Sequence, residues 1–307
     1  MSEPVQSPPD PQTPATRFIS LRWRFLSPLA FVLIIVAMTG AYLLATRLSR
    51  GLDEAETNML LQTVQSAAQR ASERYEQQRS EAVRLAFTRG IPEAIAAEQA
   101  RSLAQSLETI AAAAGLDSII VTGPDGVEVA GLVHIPSQDD FALSTATDLS
   151  DEPLIQRVLA ADEASTDSSG LMQTADGLMV YTGVPIQPDE QLVGAALVGQ
   201  RLENILAALQ GTAGADIALY DSDGQMLLAS FALDDETLSA LTVDGAVFRQ
   251  ASTTAAVIVA AQTQINDLPY RTAYAPLDYG DSRLGIMAVF LPNSVPYATE
   301  AGRQMTA

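Results

Sequence analysis

The sequence predicts an α+β protein: an N-terminal transmembrane helix, a long stalk helix, and two tandem modules that each carry an antiparallel sheet. Three observations predict it. An uncharged apolar stretch of 22 residues covers positions 25–46. A stripe of apolar and small side chains follows it at helical spacing. Beyond Gly115 a strand–turn–strand pattern with a central Asp-Gly occurs twice.

The apolar stretch is bounded by Arg24 and Arg47. As a helix rising ~1.5 Å per residue it reaches across a hydrocarbon core of ~30 Å. Trp23 and Tyr42 lie near its two ends, where aromatic belts form. A cleaved signal peptide is the competing reading, but its apolar core should be only ~7–15 residues and end in small residues. The stretch is too long, and Leu44-Ala-Thr46 is a poor cleavage match, which favours an uncleaved anchor over residues 17–48. Arg17, Arg22 and Arg24 precede it and Arg47 and Arg50 follow, a weak bias for a cytoplasmic N-terminus. Residues 1–16, rich in Pro, Ser, Thr and Gln, are expected to be a disordered cytoplasmic tail. The bulk would then be periplasmic or extracellular, on a single-pass protein of the plasma membrane.

Charge agrees with export. The formal net charge is -20 and every basic side chain is Arg. Eleven of the 17 Arg lie at or before Arg101; after it six remain against 27 Asp and Glu. So acidic a surface repels phosphate backbones and disfavours nucleic acid. The absence of Cys excludes disulfides, thiolate metal sites and cysteine nucleophiles.

Leu52, Ala55, Met59, Leu60, Val64, Ala67, Ala71 and Tyr75 carry the helical stripe, which predicts one helix over residues 49–89. Gly90 and Pro92 should break it. A second helix is expected over 92–114, with Gly115 as its C-cap. The two make up stalk helices over 49–114, and residues 50–89 are a candidate homodimer seam.

Two modules follow, over 115–210 and 211–293. Asp117-Ser-Ile-Ile-Val-Thr-Gly-Pro-Asp-Gly-Val-Glu-Val-Ala130 reads as strand, turn, strand. A helical piece is expected over 152–161, long strands over 178–186 and 192–201, and a short helix over 202–209. The opening pattern returns in Asp216-Ile-Ala-Leu-Tyr-Asp-Ser-Asp-Gly-Gln-Met-Leu-Leu-Ala229. Asp125 and Asp223 are 98 positions apart. The closing hairpins also match: Pro185 with Pro276 and Gly194 with Gly285, each 91 apart. Residues 294–307 are expected to be a helical tail leading toward a second membrane span that the sequence lacks.

This order of anchor, stalk helix and repeated Asp-Gly hairpin, helix and long hairpin resembles the double Cache sensor region of bacterial transmembrane receptors, over residues 49–293. The resemblance implies two PAS-like modules, the membrane-distal one usually holding a small ligand. It also implies signalling through stalk helices to an output module, none of which is found in the sequence. Part of the family grips amino acids with an Arg-x-Trp-Tyr motif on the helix before the long hairpin. Here the matching positions hold Glu152, Leu154 and Ile155. A carboxylate at Glu152 repels another, so the resemblance argues against an α-amino-acid ligand. Arg157, one turn on, is a substitute cation.

Chemistry-bearing motifs are few. His134 is the single histidine and no nucleophile elbow accompanies it. No His-Glu-x-x-His, phosphate loop or Rossmann fingerprint is present. Asp221-Ser-Asp-Gly and Asp234-Asp-Glu read as a turn and a helix start rather than a calcium loop. No cofactor, metal or catalytic residue is expected. The candidate ligand residues are Tyr181, Arg157, Asp176 and Asp151, with Tyr274 and Arg271 the analogous pair in the second module. Sensing of a small molecule is the first expectation. A ligand-free spacer or protein-interaction ectodomain is the second, and a membrane-anchored hydrolase the third.

Overall fold

The computed structural model describes residues 21–292, apart from 98, 139, 145, 162–166, 189–190, 232–240, 254–256, 260–262 and 266–267. The tails 1–16 and 294–307 and the cluster Asp234-Asp-Glu lie outside the described residues. The chain divides into two units, 1–56 and 57–307. Helix α1, Leu21–Ala86, begins in the first. There the large apolar side chains between Phe31 and Leu44 stand exposed, from 47% at Ile35 to 73% at Leu44. The hydroxyls among them are satisfied within the helix: Thr39 donates to the Ile35 carbonyl at 2.8 Å and Thr46 to that of Tyr42 at 2.9 Å. Among the described residues no helix is long and apolar enough to cross a membrane.

In the second unit α1 presents one stripe inward. Leu60, Val64, Ala67, Ala71 and Tyr75 are buried, and Ala82 and Leu85 continue the stripe. Met59, which the spacing had placed on the same face, is 61% exposed. The expected helix over 92–114 is two pieces, α2 (Ile91–Ala96) and α3 (Ala100–Ala114). Gly90 takes a left-handed φ of 90° before α2, and Gly115 one of 63° as the cap of α3. No Gly or Pro marks the break between them. Both pieces lay their apolar sides, Ile91 and Ile95 then Leu103, Leu107 and Ala111, on one sheet.

That first sheet contains β1 (Ser118–Thr122), β2 (Glu128–Ile135), β3 (Asp140–Ser144), β4 (Ser168–Thr174), β5 (Gly177–Ile186) and β6 (Gly194–Arg201). It is antiparallel with order β3-β2-β1-β6-β5-β4. α4 (Pro153–Leu159) covers its other face with Leu154, Ile155 and Val158. Alternation along the strands sends Ile119 and Val121 toward α2 and α3, and Ile120 toward α4.

α5 (Leu202–Ala213) leads into the second sheet: β7 (Asp216–Tyr220), β8 (Met226–Ala229), β9 (Ile258–Val259), β10 (Thr263–Ile265), β11 (Leu268–Tyr279) and β12 (Ser282–Pro292). Its order is β10-β11-β12-β7-β8, with β9 also paired to β11. α1 and α5 pack on one face through Leu60, Val64, Ile205 and Leu209. Helix α6 (Gly245–Thr253) contributes Ala251 to the other, where Tyr220, Tyr274 and Phe290 pack. The α+β class with two antiparallel sheets thus stands as expected. The edge strands β3 and β4, and β9, β10 and α6, are additions to the sequence reading.

Candidate functional site

The face of the first sheet beneath α4 carries a polar strip in an apolar floor. Tyr181 is fully buried on β5 and donates to the Ser118 hydroxyl on β1 at 2.9 Å. Burial pushes its phenol up to about 12. The ring lies across Gly199 on β6, where an added Cβ would come within 2.5 Å of it. Glu128, at the start of β2, is 4% exposed. Its carboxylate accepts from the Ser144 hydroxyl at 2.5 Å and from the Thr147 N–H at 3.4 Å. It folds over Gly131, where a Cβ would meet it at 1.8 Å. Opposite Glu128 on the ladder stands Thr122, fully buried, whose hydroxyl has no partner among the described residues.

Arg157 is exposed on α4 and donates to the Ser169 carbonyl at 2.9 Å. Asp176 is exposed in the turn between β4 and β5, and Asp151 is exposed just before α4. None of the three cavities described below has more than one of Tyr181, Arg157, Asp176 and Asp151 in its wall. Leu154 and Ile155 are buried against the sheet, while Glu152 is half-buried at the start of α4. In the second module Tyr274 is buried, and Arg271 donates to the Thr57 hydroxyl of α1 at 3.0 Å. His134 rests on Phe141 with ring centres 5.2 Å apart.

Below the strip a clamp closes the sheet. Asp117 accepts from the Arg201 backbone N–H at 2.9 Å, from its guanidinium at 3.3 Å, and from Asn204 at 2.8 Å. Arg201 also donates to the His134 carbonyl at 2.5 Å. The clamp ties β1, β2 and β6 to the start of α5. On the α1 side, Tyr75 donates to Asp167 at 2.7 Å and Arg79 donates to the same carboxylate at 2.9 Å. Burial and Asp167 together hold the Tyr75 phenol well above its ordinary value.

Three cavities lie among the described residues. One of about 630 Å³ lies at the tip of the first module, between the end of α2, the β1–β2 turn and the loop before β6; Ile95, Asp125, Val127, Glu128, Gln191 and Val193 are in its wall. One of about 460 Å³ lies between α4 and the β11–β12 turn, beside Arg157 and Arg283. One of about 450 Å³ runs along α1 against β11. Among the described residues no three His, Asp or Glu are placed to hold a metal. Glu128 escaped the sequence reading. Its signal was there, a charge inside the otherwise apolar Val127-Glu-Val-Ala130.

Two similar sheets, a shared N-terminal helix and a helix over each second face define the architecture. A family model described as the double sensory domain of two-component sensor kinases matches residues 54–295. The chain belongs to the double Cache family. Solved structures agree on the fold. The extracellular domain of the histidine kinase vpHK1S-Z8 superposes with a TM-score of 0.62 at 12% identity, over 78% of this chain and 94% of its own. A domain of a sensory box/GGDEF family protein from Vibrio parahaemolyticus gives 0.59 at 11%, over 77% and 97%. The ligand-binding domain of the Campylobacter jejuni chemoreceptor Tlp3, in complex with L-norvaline, gives 0.54 at 11%, over 79% and 92%. No curated protein matches the chain. Double Cache membership makes this a double sensory domain, whose first module carries the polar strip and the largest of the three cavities.

Proposed function

We propose that this double Cache chain is a membrane-anchored, non-catalytic receptor that senses a small molecule outside the cytoplasm and passes the signal along α1. The observation that carries the proposal is that one helix belongs to two cores. Leu60, Val64, Ala67, Ala71 and Tyr75 pack with the second sheet, and Ala82, Leu85 and Ala86 pack with the first. Close-packed interiors transmit displacement instead of absorbing it. A ligand that shifts the first sheet against its helices therefore biases α1, provided it binds the two arrangements unequally. The exposed apolar side chains between Phe31 and Leu44 support a lipid anchor in the stretch 25–46, with the acidic bulk exported. Pairing of two copies along residues 50–89 belongs to the same reading. The ligand is read as something other than an α-amino acid, because Glu152 stands where the family's carboxylate-gripping Arg would be.

Thermal melting of the full chain in detergent, against a broad panel of small metabolites, tests this. A ligand at ~100 times its dissociation constant adds ~2.7 kcal/mol and raises the melting temperature visibly. A panel that moves nothing favours a second reading, a spacer or protein-interaction ectodomain. One observation speaks for that alternative: Tyr181, Met172, Met179 and Ile155 fill the space under α4.

A further inference from the structure

Asp167 stands immediately before β4, the edge strand of the first sheet. Both of its carboxylate oxygens are taken by α1. Tyr75 donates to one at 2.7 Å, and Arg79, one helical turn on, donates to the other at 2.9 Å. Between these two residues lies Gln78, 1% exposed, whose side-chain oxygen accepts from the Thr182 hydroxyl of β5 at 3.2 Å. Thr182 is fully buried and shares a 2.9 Å hydrogen bond with the Ser169 hydroxyl of β4. The Ser169 carbonyl in turn accepts from Arg157. One turn of α1 is thus tied to β4 and β5 and, through Ser169, to the helix α4 on the opposite face of that sheet.

The same tyrosine abuts the second module. Its ring meets that of Tyr279, at the end of β11, edge to face with centres 5.7 Å apart. Gly280, in the turn between β11 and β12, lies against its phenol end: a Cβ added there would come within 2.4 Å of the ring carbon Cζ and 2.7 Å of the hydroxyl oxygen. The Tyr75 hydroxyl is therefore bonded to one module and packed against the other. This seam is not fully satisfied as it stands. The Gln78 amide nitrogen and the Tyr279 hydroxyl are both buried and have no partner among the described residues. Unmade hydrogen bonds of buried groups raise the free energy of the arrangement that contains them. A shift of α1 that pairs those groups is opposed less than it would be in a fully bonded seam.

We propose that Asp167 is a pin that couples the two modules: it fixes Tyr75 on α1 so that a displacement of β4 reaches the β11–β12 turn, and a displacement of that turn reaches β4. Coupling free energies are reciprocal, so a perturbation on either side is felt on the other. The pin deepens the sensor reading, in which the signal passes along α1, and rests on it for its purpose. The coupling itself is measurable without a ligand.

The test is amide hydrogen exchange of the full chain in detergent, read by mass spectrometry. Asp167→Ala removes the pin. Exchange should quicken by about tenfold or more in β4 and also in residues 279–285, to which Asp167 makes no hydrogen bond. Should that variant fail to fold, Tyr75→Phe, which keeps the ring against Tyr279 and drops the bond, carries the same expectation. Gly280→Ala works from the other side: its Cβ displaces the Tyr75 phenol, so β4 should loosen although the substitution lies in the second module. Gly214→Ala is the control. Its φ of 63° imposes the same backbone strain as the 65° of Gly280, yet its Cβ meets nothing within 4 Å. Loosening confined to β4 in Asp167→Ala, or a β4 response to Gly280→Ala no larger than to Gly214→Ala, overturns the proposal. The metabolite melting screen is independent of this result. A metabolite that stabilises a chain whose modules prove uncoupled removes the pin and leaves the sensor reading. Coupled modules with no stabilising metabolite keep the pin and remove that reading.

Discussion

In each sheet an opening hairpin lies beside a longer closing hairpin: β2-β1-β6-β5 in the first module and β8-β7-β12-β11 in the second. The backbones repeat down to the bulge after the second-last residue pair of the opening ladder. The side chains do not. Where Tyr181 lies across Gly199 in the first module, the 91-residue offset of the closing hairpins places Thr272 opposite Phe290 in the second. The large ring has changed strands. Phe290 stacks edge-on with Phe231, and Tyr220 adds a third ring to an aromatic core. Asp117, centre of the clamp, corresponds to the buried Ala215. One module is filled with rings, and the other carries charge and hydroxyls in the same frame. The difference teaches that the sheet itself requires an apolar surface and a bulge. Polar groups beyond that are additions to one copy.

The largest effect should come from the clamp. Asp117→Ala leaves Arg201, whose side chain is 11% exposed, without its counter-charge. Breaking a buried pair from one side costs about 3–5 kcal/mol. A urea midpoint that hardly moves would mean that the first module is held together as the second is, by packing alone. Alkaline pH should give the next largest change. Burial holds Tyr181 at about 12 and Tyr220 higher still, against ~10 for a free phenol. The folded chain keeps a proton that the unfolded chain loses, so stability is unaffected below pH ~10 and falls as pH climbs toward 12. A proton held so much more tightly in the folded chain is worth on the order of a few kcal/mol once the unfolded phenol ionises. Tyr181→Phe and Tyr220→Phe should each reduce that slope, and tyrosinate absorbance should rise with unfolding instead of before it.

Gly199→Ala probes the exchanged ring. The new Cβ would fall 2.5 Å from Tyr181, and overpacking of this kind costs about 1–3 kcal/mol. Combining it with Tyr181→Thr, which copies the second module's small residue, should recover part of the loss. If the double variant is simply additive, the two modules do not share a packing rule across these strands.

How much of this was legible in the sequence depends on what each element offers locally. The Asp-Gly turns announced both opening hairpins because a tight turn needs Gly126 and Gly224 at positive φ, 82° and 79°. Long apolar runs announced β5 and β6, and the match of Pro276 and Gly285 to Pro185 and Gly194 announced the hairpin of β11 and β12. The edge strands β3 and β4 were hidden, because Asp-Phe-Ala-Leu-Ser is mostly exposed and Ser-Ser-Gly-Leu-Met-Gln-Thr reads as a loop. Neither has an alternation strong enough to count. The split between α2 and α3 was invisible for a different reason: residues around Ala97 are good helix formers, and tertiary packing of Ile95 and Leu103 on one sheet decides the bend. Among candidate ligand residues, Tyr181 could be placed on its strand, but no sequence rule shows that Arg157 reaches back from α4 to the Ser169 carbonyl. Glu128 was legible in principle. A lone carboxylate in a strand whose neighbours are valines and alanine has only two fates, the solvent face or a buried polar site.

The smallest effect is also the sharpest. Replacing Glu128 by Met and Thr122 by Val removes a buried carboxylate and a hydroxyl with no partner among the described residues from the first sheet. Were these groups structural, the loss of the Ser144 contact would cost about 1–3 kcal/mol. If the polar pair is an addition that the fold tolerates, the double variant should melt at the same temperature as the parent or above it, since apolar replacement of a buried polar group is often neutral or stabilising. The same replacement at Tyr220, whose hydroxyl is bonded to Leu241, should destabilise the second module. Opposite signs at these equivalent positions, 98 residues apart like the two Asp-Gly turns, would separate a polar group that the sheet needs from one that it merely tolerates. Equal destabilisation in both modules would return Glu128 to the architecture of the sheet.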